Sequence, residues 1–268
     1  MSSKIHDPLF GAAPEEIHLP AAPLVTVLCQ VRFPEIVSIQ KKQFIAGFQE
    51  RVRGTYPLMH EDVLKTVALE SVGTVATSDE VVWRFVDAPR NWRLTLTSTF
   101  LTLETRKYET RVHFIERFGE VVEALQTTLK PSHVTRLGMR YVDRVAIKDG
   151  VSFDGMLRDE MKGVTGPAGL SVIHSVSEIV CKVQEGQMLA RWGLLPARGS
   201  HDPDVLPPVQ EASWFLDVDT SADHVSSPVS FDAAKIRADA SALSMRSYSF
   251  FRWAVTDEFL KAFGGKTA

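Results

Sequence analysis

The sequence predicts an α+β protein made of two similar halves, each running strand, helix, antiparallel meander, helix, with the helices on one face of each sheet. Three observations predict it. Apolar residues alternate with period two in 24–33 and again in 134–147. Short strand signals separated by turn-rich stretches follow both. Apolar stripes at helical spacing then close each half, over 112–129 and within 231–263. The chain accordingly divides into an extended leader, 1–22, a first α+β half, 23–133, and a second, 134–268, related by an internal duplication visible in element order more than in sequence.

The leader has Pro8, Pro14 and Pro20 and little periodicity, so it reads as extended chain whose Leu9, Phe10 and Ile17 dock on the body. In 24–33, Val25, Val27, Cys29, Val31 and Phe33 share one strand face, and Pro34 ends the strand. Ser38 reads as the N-cap of an amphipathic helix with Phe44, Ile45, Phe48 and Val52 on its apolar stripe, ending near Gly54. The stretch 63–70 carries no clear signal. Strands are predicted at 81–86, 92–97 and 101–105, forming a three-stranded meander with one face buried. The helix over 112–129 is the clearest in the chain and stops at Pro131. In the second half the strand at 134–147 precedes a short helix around 153–161. Strands follow at 171–183, 188–195 and 214–220. A helical tract then runs from Phe231 to Phe263, broken near 244–247 and stopped by Gly264 and Gly265.

Composition narrows the chemistry. With 268 residues, 44 % hydrophobic and 24 % charged, the chain can bury a sizeable core and is not of disordered or fibrous type. Its 30 basic and 33 acidic side chains leave a formal charge of −3, which supplies no field for nucleic acid or an anionic membrane. Two cysteines, Cys29 and Cys181, lie in apolar strand-like runs without metal-ligand spacing and read as buried thiols. No apolar run approaches the roughly 20 residues of a membrane span, and 1–10 lacks a signal-peptide pattern, so a cytoplasmic location is expected. GxSxG, HExxH, P-loop, GxGxxG and EF-hand patterns are absent from the sequence, which counts against the commonest hydrolases, NTPases and dinucleotide enzymes. The eight histidines are scattered, with none in a helical i, i+4 pair. No catalytic residue, cofactor or metal site is assigned.

The candidate binding residues cluster in 134–147. Arg136 and Arg140 share one strand face, with Gly138 leaving a gap between them over which two guanidinium forks could hold an anion. Tyr141 faces the other way, and Trp83 and Trp92 supply aromatic surface for a ligand in a cleft between the halves. The competing structural reading pairs these arginines with Glu104, Asp217 or Asp219 across the sheet. Asp217 and Asp219 lie on one strand face, the placement two carboxylates need to share a hard cation, although no third carboxylate is near in sequence. Their bland reading is a solvated strand face with Trp214, Leu216 and Val218 buried opposite. The polar, proline-rich stretch 197–212 is long for a connection and is expected to be either disordered or used in recognition.

The run from Trp83 through Tyr108 to Leu125, then RLGMRYVDRV, WFLDVD and FFRWAVTDEFLKAF, resembles a sporadically distributed prokaryotic family of roughly 250-residue proteins, about this chain's length, with no assigned function. The matching positions are Pro23 to Val25, Tyr108, Phe114 to Leu125, Arg136 to Tyr141 and Phe251 to Glu258, and their order is the distinctive feature. The resemblance implies no catalytic residues. A looser, architectural likeness is to duplicated gyrase-inhibitor-like and SOUL-type domains, which use a central cleft for ligands. The reading that follows is a non-enzymatic protein-interaction or regulatory module, the accessory member of a defence- or toxin-linked pair, with a protein partner or a second copy. The alternatives are a small-ligand-binding domain and, behind both, an uncatalogued enzyme.

Overall fold

A computed structural model describes residues 7–69, 75–147, 155–163 and 171–266. Helices and antiparallel strands are both extensive, as an α+β class requires. The chain separates into two compact units. Unit 1 comprises Met1–Val27, Met139–Ala222 and Ser241–Ala268, and unit 2 comprises Leu28–Gly138 and Asp223–Ala240. Each is therefore assembled from stretches far apart in the sequence.

Unit 2 contains β1 (Leu24–Arg32, begun in unit 1), α1 (Lys42–Val52), β2 (Leu58–Leu69), β3 (Val75–Val86), β4 (Trp92–Leu96), β5 (Phe100–Thr105) and α2 (Arg111–Thr128). Its strand order is β2-β3-β4-β5-β1. The meander has four strands, because 58–69 is a strand paired antiparallel with β3 from Leu58↔Val86 to Leu69↔Val75. The sequence hides it: the run LMHEDVLKTVAL lacks the alternation that marks a half-buried strand. Phe48, Phe85, Leu94, Phe114 and Phe118 fill the core, while Phe44, placed on the buried stripe by spacing, is largely exposed. Ser38 is not the N-cap of α1. It lies in a 3-10 turn, Val37–Gln40, and α1 begins after Lys41 without a side-chain cap. Thr110 caps α2 by accepting from the His113 N–H.

Unit 1 contains most of β7 (Arg136–Ala146), after a two-residue strand β6 (His133–Val134), then α3 (Asp159–Lys162), β8 (Ser175–Val183), β9 (Gly186–Leu195) and β10 (Ser213–Asp223). A second short strand, β11 (Val229–Ser230), pairs with β6, both being part of unit 2, and precedes α4 (Ala233–Ala254), which begins in unit 2, and α5 (Asp257–Ala262). The strand order in unit 1 is β7-β10-β9-β8. Of the short helix expected at 153–161, only the four-residue α3 forms; 155–158 are not helical, Leu157 bridging to Val255, and residues 153 and 154 lie outside the described ones. Trp214, Leu216 and Val218 of β10 pack with Phe250, Phe259 and Leu260.

The helical tract is not broken at 244–247, where α4 is continuous. Its serines are buried and bonded instead: Ser244 to the Tyr141 hydroxyl (2.6 Å), Ser247 to Thr220 (2.8 Å), and Ser249 to the Met245 carbonyl (3.0 Å). The break falls at Thr256, whose hydroxyl caps α5. The leader docks on the body as its apolar residues suggested for Leu9 and Ile17, but Phe10 is 54 % exposed. Arg246, almost wholly buried in α4, donates to the Pro8 and Gly11 carbonyls (3.0 and 2.9 Å) and pairs with Glu185 (2.8 Å). Cys29 is buried as expected, whereas Cys181 is only half-buried.

Gly193, in β9 between two neighbouring strands, has φ +152°. A Cβ there would stand 2.0 Å from the Ser175 carbonyl oxygen, a backbone atom that cannot move aside without parting the strands. Gly193→Ala is expected to destabilise the fold by about 2 kcal/mol or more in urea unfolding, well beyond the usual effect of an alanine in a strand.

Candidate functional site

Two of the candidate residues, Arg140 and Asp217, meet in unit 1 on the β10 face away from α4. Alternation along β10 sends Trp214, Leu216 and Val218 into the helix-side core and Ser213, Phe215, Asp217 and Asp219 to the opposite face. That face is not solvated. Residues 197–212 fold over it, with Val205 and Leu206 buried and Thr26 on β1 donating to the Val205 carbonyl (2.8 Å).

Under this cover Arg140 and Asp217 form a bidentate pair, Nε to Oδ1 at 2.8 Å and Nη2 to Oδ2 at 2.7 Å. Asp202 accepts from Nη2 at 2.9 Å, and His201 Nε2 lies 2.8 Å from Asp217 Oδ2. The His201 ring stacks on Phe215 with centroids 4.5 Å apart. Arg140 is 16 % and Asp217 2 % exposed at the side chain. Burial pulls the Arg140 guanidinium down, but bonds and charge from Asp217 and Asp202 hold it above its ordinary value. Burial likewise pushes Asp217 up, and Arg140 and His201 overcome that to keep its carboxyl below the usual range. Arg144 donates to the Pro207 and Leu206 carbonyls, fastening the same cover, and burial lowers it.

This corrects two sequence expectations. Asp217 is a buried ion-pair partner rather than part of a solvated face, and 197–212 is structured rather than free. Asp219 is half-buried on the same face and engaged in a contact of its own. Among the described residues no group of three or more His, Cys, Asp and Glu side chains is placed to hold a metal ion. His201 was invisible as a member because it lies in an irregular stretch; the His-Asp dipeptide at 201–202, followed by Asp217 on a strand, was the available signal.

The other candidates also have internal partners. In unit 2 the Arg136 guanidinium lies over Gly138, so that a Cβ on Gly138 would stand 2.6 Å from Nη1; the gap assigned to an anion is filled by the arginine itself. Trp83 is fully buried and donates to the Ile39 carbonyl (2.7 Å). Trp92 is buried beneath the Arg117 guanidinium, 4.3 Å from its ring centre, and stacks with Phe114. Arg117 also donates to the Tyr56 hydroxyl (2.7 Å), and burial pushes that phenol up to about 12. Tyr141 is bonded to Ser244. Glu104, proposed as a partner for Arg136 or Arg140, is taken by Arg93 (2.6 Å). Each of the five candidates thus makes a contact within the protein.

Asp143 shares the Tyr141 face of β7 and is almost completely buried. Burial, reinforced by the Asp217 charge, pushes its carboxyl up to about 7. At neutral pH it is poised between protonated and ionised forms.

No family model matches this chain, and no curated protein matches it. No helix among the described residues is long and apolar enough to cross a membrane.

Arg140→Ala is expected to cost about 3–5 kcal/mol in urea unfolding, since it leaves Asp217 buried and uncompensated, with Arg140→Lys recovering only part because one ammonium cannot replace a fork. Asp143 acts with the opposite sign to an ion-paired acid. Its folded value lies above its unfolded one, so its contribution is complete below about pH 4 and is lost as pH rises to about 7. Asp143→Asn should therefore flatten the decline in stability across that window and raise stability at pH 8 by about 1–3 kcal/mol, read from unfolding midpoints at both ends of the window.

Proposed function

We propose that this chain is a non-enzymatic protein-binding module, of the interaction or regulatory kind, and that its β2–β3 ribbon receives the partner. The observation that carries this reading is the length of the ribbon. β2 and β3 pair over twelve residues each, whereas β4 pairs with β3 only from Trp83 to Val86. Beyond Trp83 the two strands continue with no third strand beside them among the described pairings. A two-stranded ribbon is marginal in water on its own, because it has little apolar surface to bury. Here Val63 and Leu64, adjacent and therefore on opposite faces, are 50 % and 49 % exposed. A partner strand or helix laid along β2 would cover them and satisfy the unpaired backbone edge.

The small-ligand alternative has less support, since Trp83, Trp92, Arg136, Arg140 and Tyr141 are committed to contacts within the protein. The internal duplication enters the same reading. Strand, helix, antiparallel strands, helix recurs in the element order, and we take it as the origin of the two-part chain, with the ribbon a specialisation of the first copy. A cytoplasmic, defence- or toxin-linked pairing is the setting we infer, testable by whether one neighbouring gene encodes the partner.

Native mass spectrometry of the protein from its own host tests the reading. A defined second polypeptide should accompany the wild type and be lost from a V63D/L64D variant whose circular dichroism is unchanged. A co-purifying small molecule without a polypeptide, a bare chain, or a polypeptide held equally by the variant would refute it.

A further inference from the structure

The outer edge of β8, in unit 1, carries a pattern independent of the ribbon. A two-residue loop closes β8 onto β9 at the Val183↔Gly186 pair. In such a hairpin the ladder turns the backbone groups of Val183, Cys181 and Ile179 toward β9, and those of Lys182, Val180, Glu178 and Val176 outward. Gln184 is next in the outward series, and its N–H is taken by the Leu9 carbonyl at 3.2 Å. The leader thus covers the edge at the hairpin tip, and among the described residues no strand pairs with 176–182 on its outer side, β8 being terminal in the strand order. Val176, Glu178, Val180 and Lys182 are all exposed, Val180 by 58 %, whereas Ser175, Ser177, Ile179 and Cys181 are half-buried.

Edge strands are commonly blunted by a proline, a bulge or charged side chains. This stretch has no proline and no bulge, and its two charges, Glu178 and Lys182, are of opposite sign and placed symmetrically about Val180. We propose that a second copy of this chain pairs here, β8 against β8 and antiparallel, about a two-fold axis through Val180. Val180 then faces its own counterpart, and Glu178 of each copy lies opposite Lys182 of the other. The interface is isologous, so one complementary pair is made twice. Charge sets the register: slipping by two residues in either direction removes both Glu178–Lys182 pairs and leaves Glu178 opposite Val180 or Gln184 and Lys182 opposite Val176 or Val180. Glu178 already holds Arg191 of its own β9, so the pairing produces a row of alternating charge across three strands. On the other face Ile179 meets Cys181 of the second copy, extending the half-buried apolar row that packs on the unit 1 core.

Sedimentation equilibrium on the full chain tests the proposal. The wild type should be a dimer. Lys182→Glu, which leaves the Glu178–Arg191 contact intact, and Glu178→Lys should each weaken it about tenfold or more, and the double reversal E178K/K182E should restore it. Val180→Lys, which sets two like charges on the axis, should give monomers with an unchanged circular dichroism spectrum. A monomeric wild type, a dimer indifferent to single reversal, or a double reversal that fails to restore association would overturn the proposal. The V63D/L64D variant should remain dimeric, which separates this outcome from that of the ribbon reading.

Discussion

The bidentate contact between Arg140 on β7 and Asp217 on β10 sets conditions that much of unit 1 must meet. Withdrawing a guanidinium and a carboxylate from water costs several kcal/mol each unless their remaining hydrogen-bonding capacity is filled. One strand-to-strand pair does not fill it. Asp202 and His201 complete the cluster, and both come from the connection between β9 and β10. That connection is in turn tied down by Arg144 through the Leu206 and Pro207 carbonyls and by Thr26 through Val205. The order of a long, proline-rich segment is thereby explained by the charge it covers.

Unit 2 is organised differently. There Arg117 lies over the rings of Trp92 and Tyr56, Arg93 pairs with the buried Glu104, and the core includes the buried Phe48, Phe85 and Phe114. The contrast bears on function. Side chains that looked available for a ligand have partners within the protein, whereas β2 and β8 end the strand order among the described residues. The proposed partner surfaces accordingly use strand edge and exposed apolar residues rather than convergent polar side chains.

The helix side of unit 1 depends on polar contacts that sequence patterns are poor at reading. Ser244, Ser247 and Ser249 within α4 resemble a helix break, because serine competes for backbone hydrogen bonds. Buried against Tyr141 and Thr220, two of them become tertiary contacts and the helix continues. Arg246, between them, binds the leader carbonyls and Glu185, so one turn of α4 faces both β10 and the leader.

The sequence by itself determined the α+β class, the positions of β1, β4, β5, β7, β9, β10 and α2, and the shared face of Asp217 and Asp219. In each of those elements a buried face imposes a local period that residues a few positions apart reveal. It did not reveal β2, whose sequence LMHEDVLKTVAL carries no regular period. It offered Asp217 as a partner for Arg140, which the structure bears out, but it could not choose between that pair and a ligand, nor place Trp83 and Trp92, because whether a guanidinium or an indole is free depends on groups far away in the chain. Arg140 finds its partners 62 and 77 residues on, and Trp83 its acceptor 44 residues back. Such contacts come from sheet register and loop path, which only the tertiary structure decided. The open edge of β8 belongs to both accounts: its alternating residues are written in the sequence, and its lack of a neighbouring strand is a property of the fold.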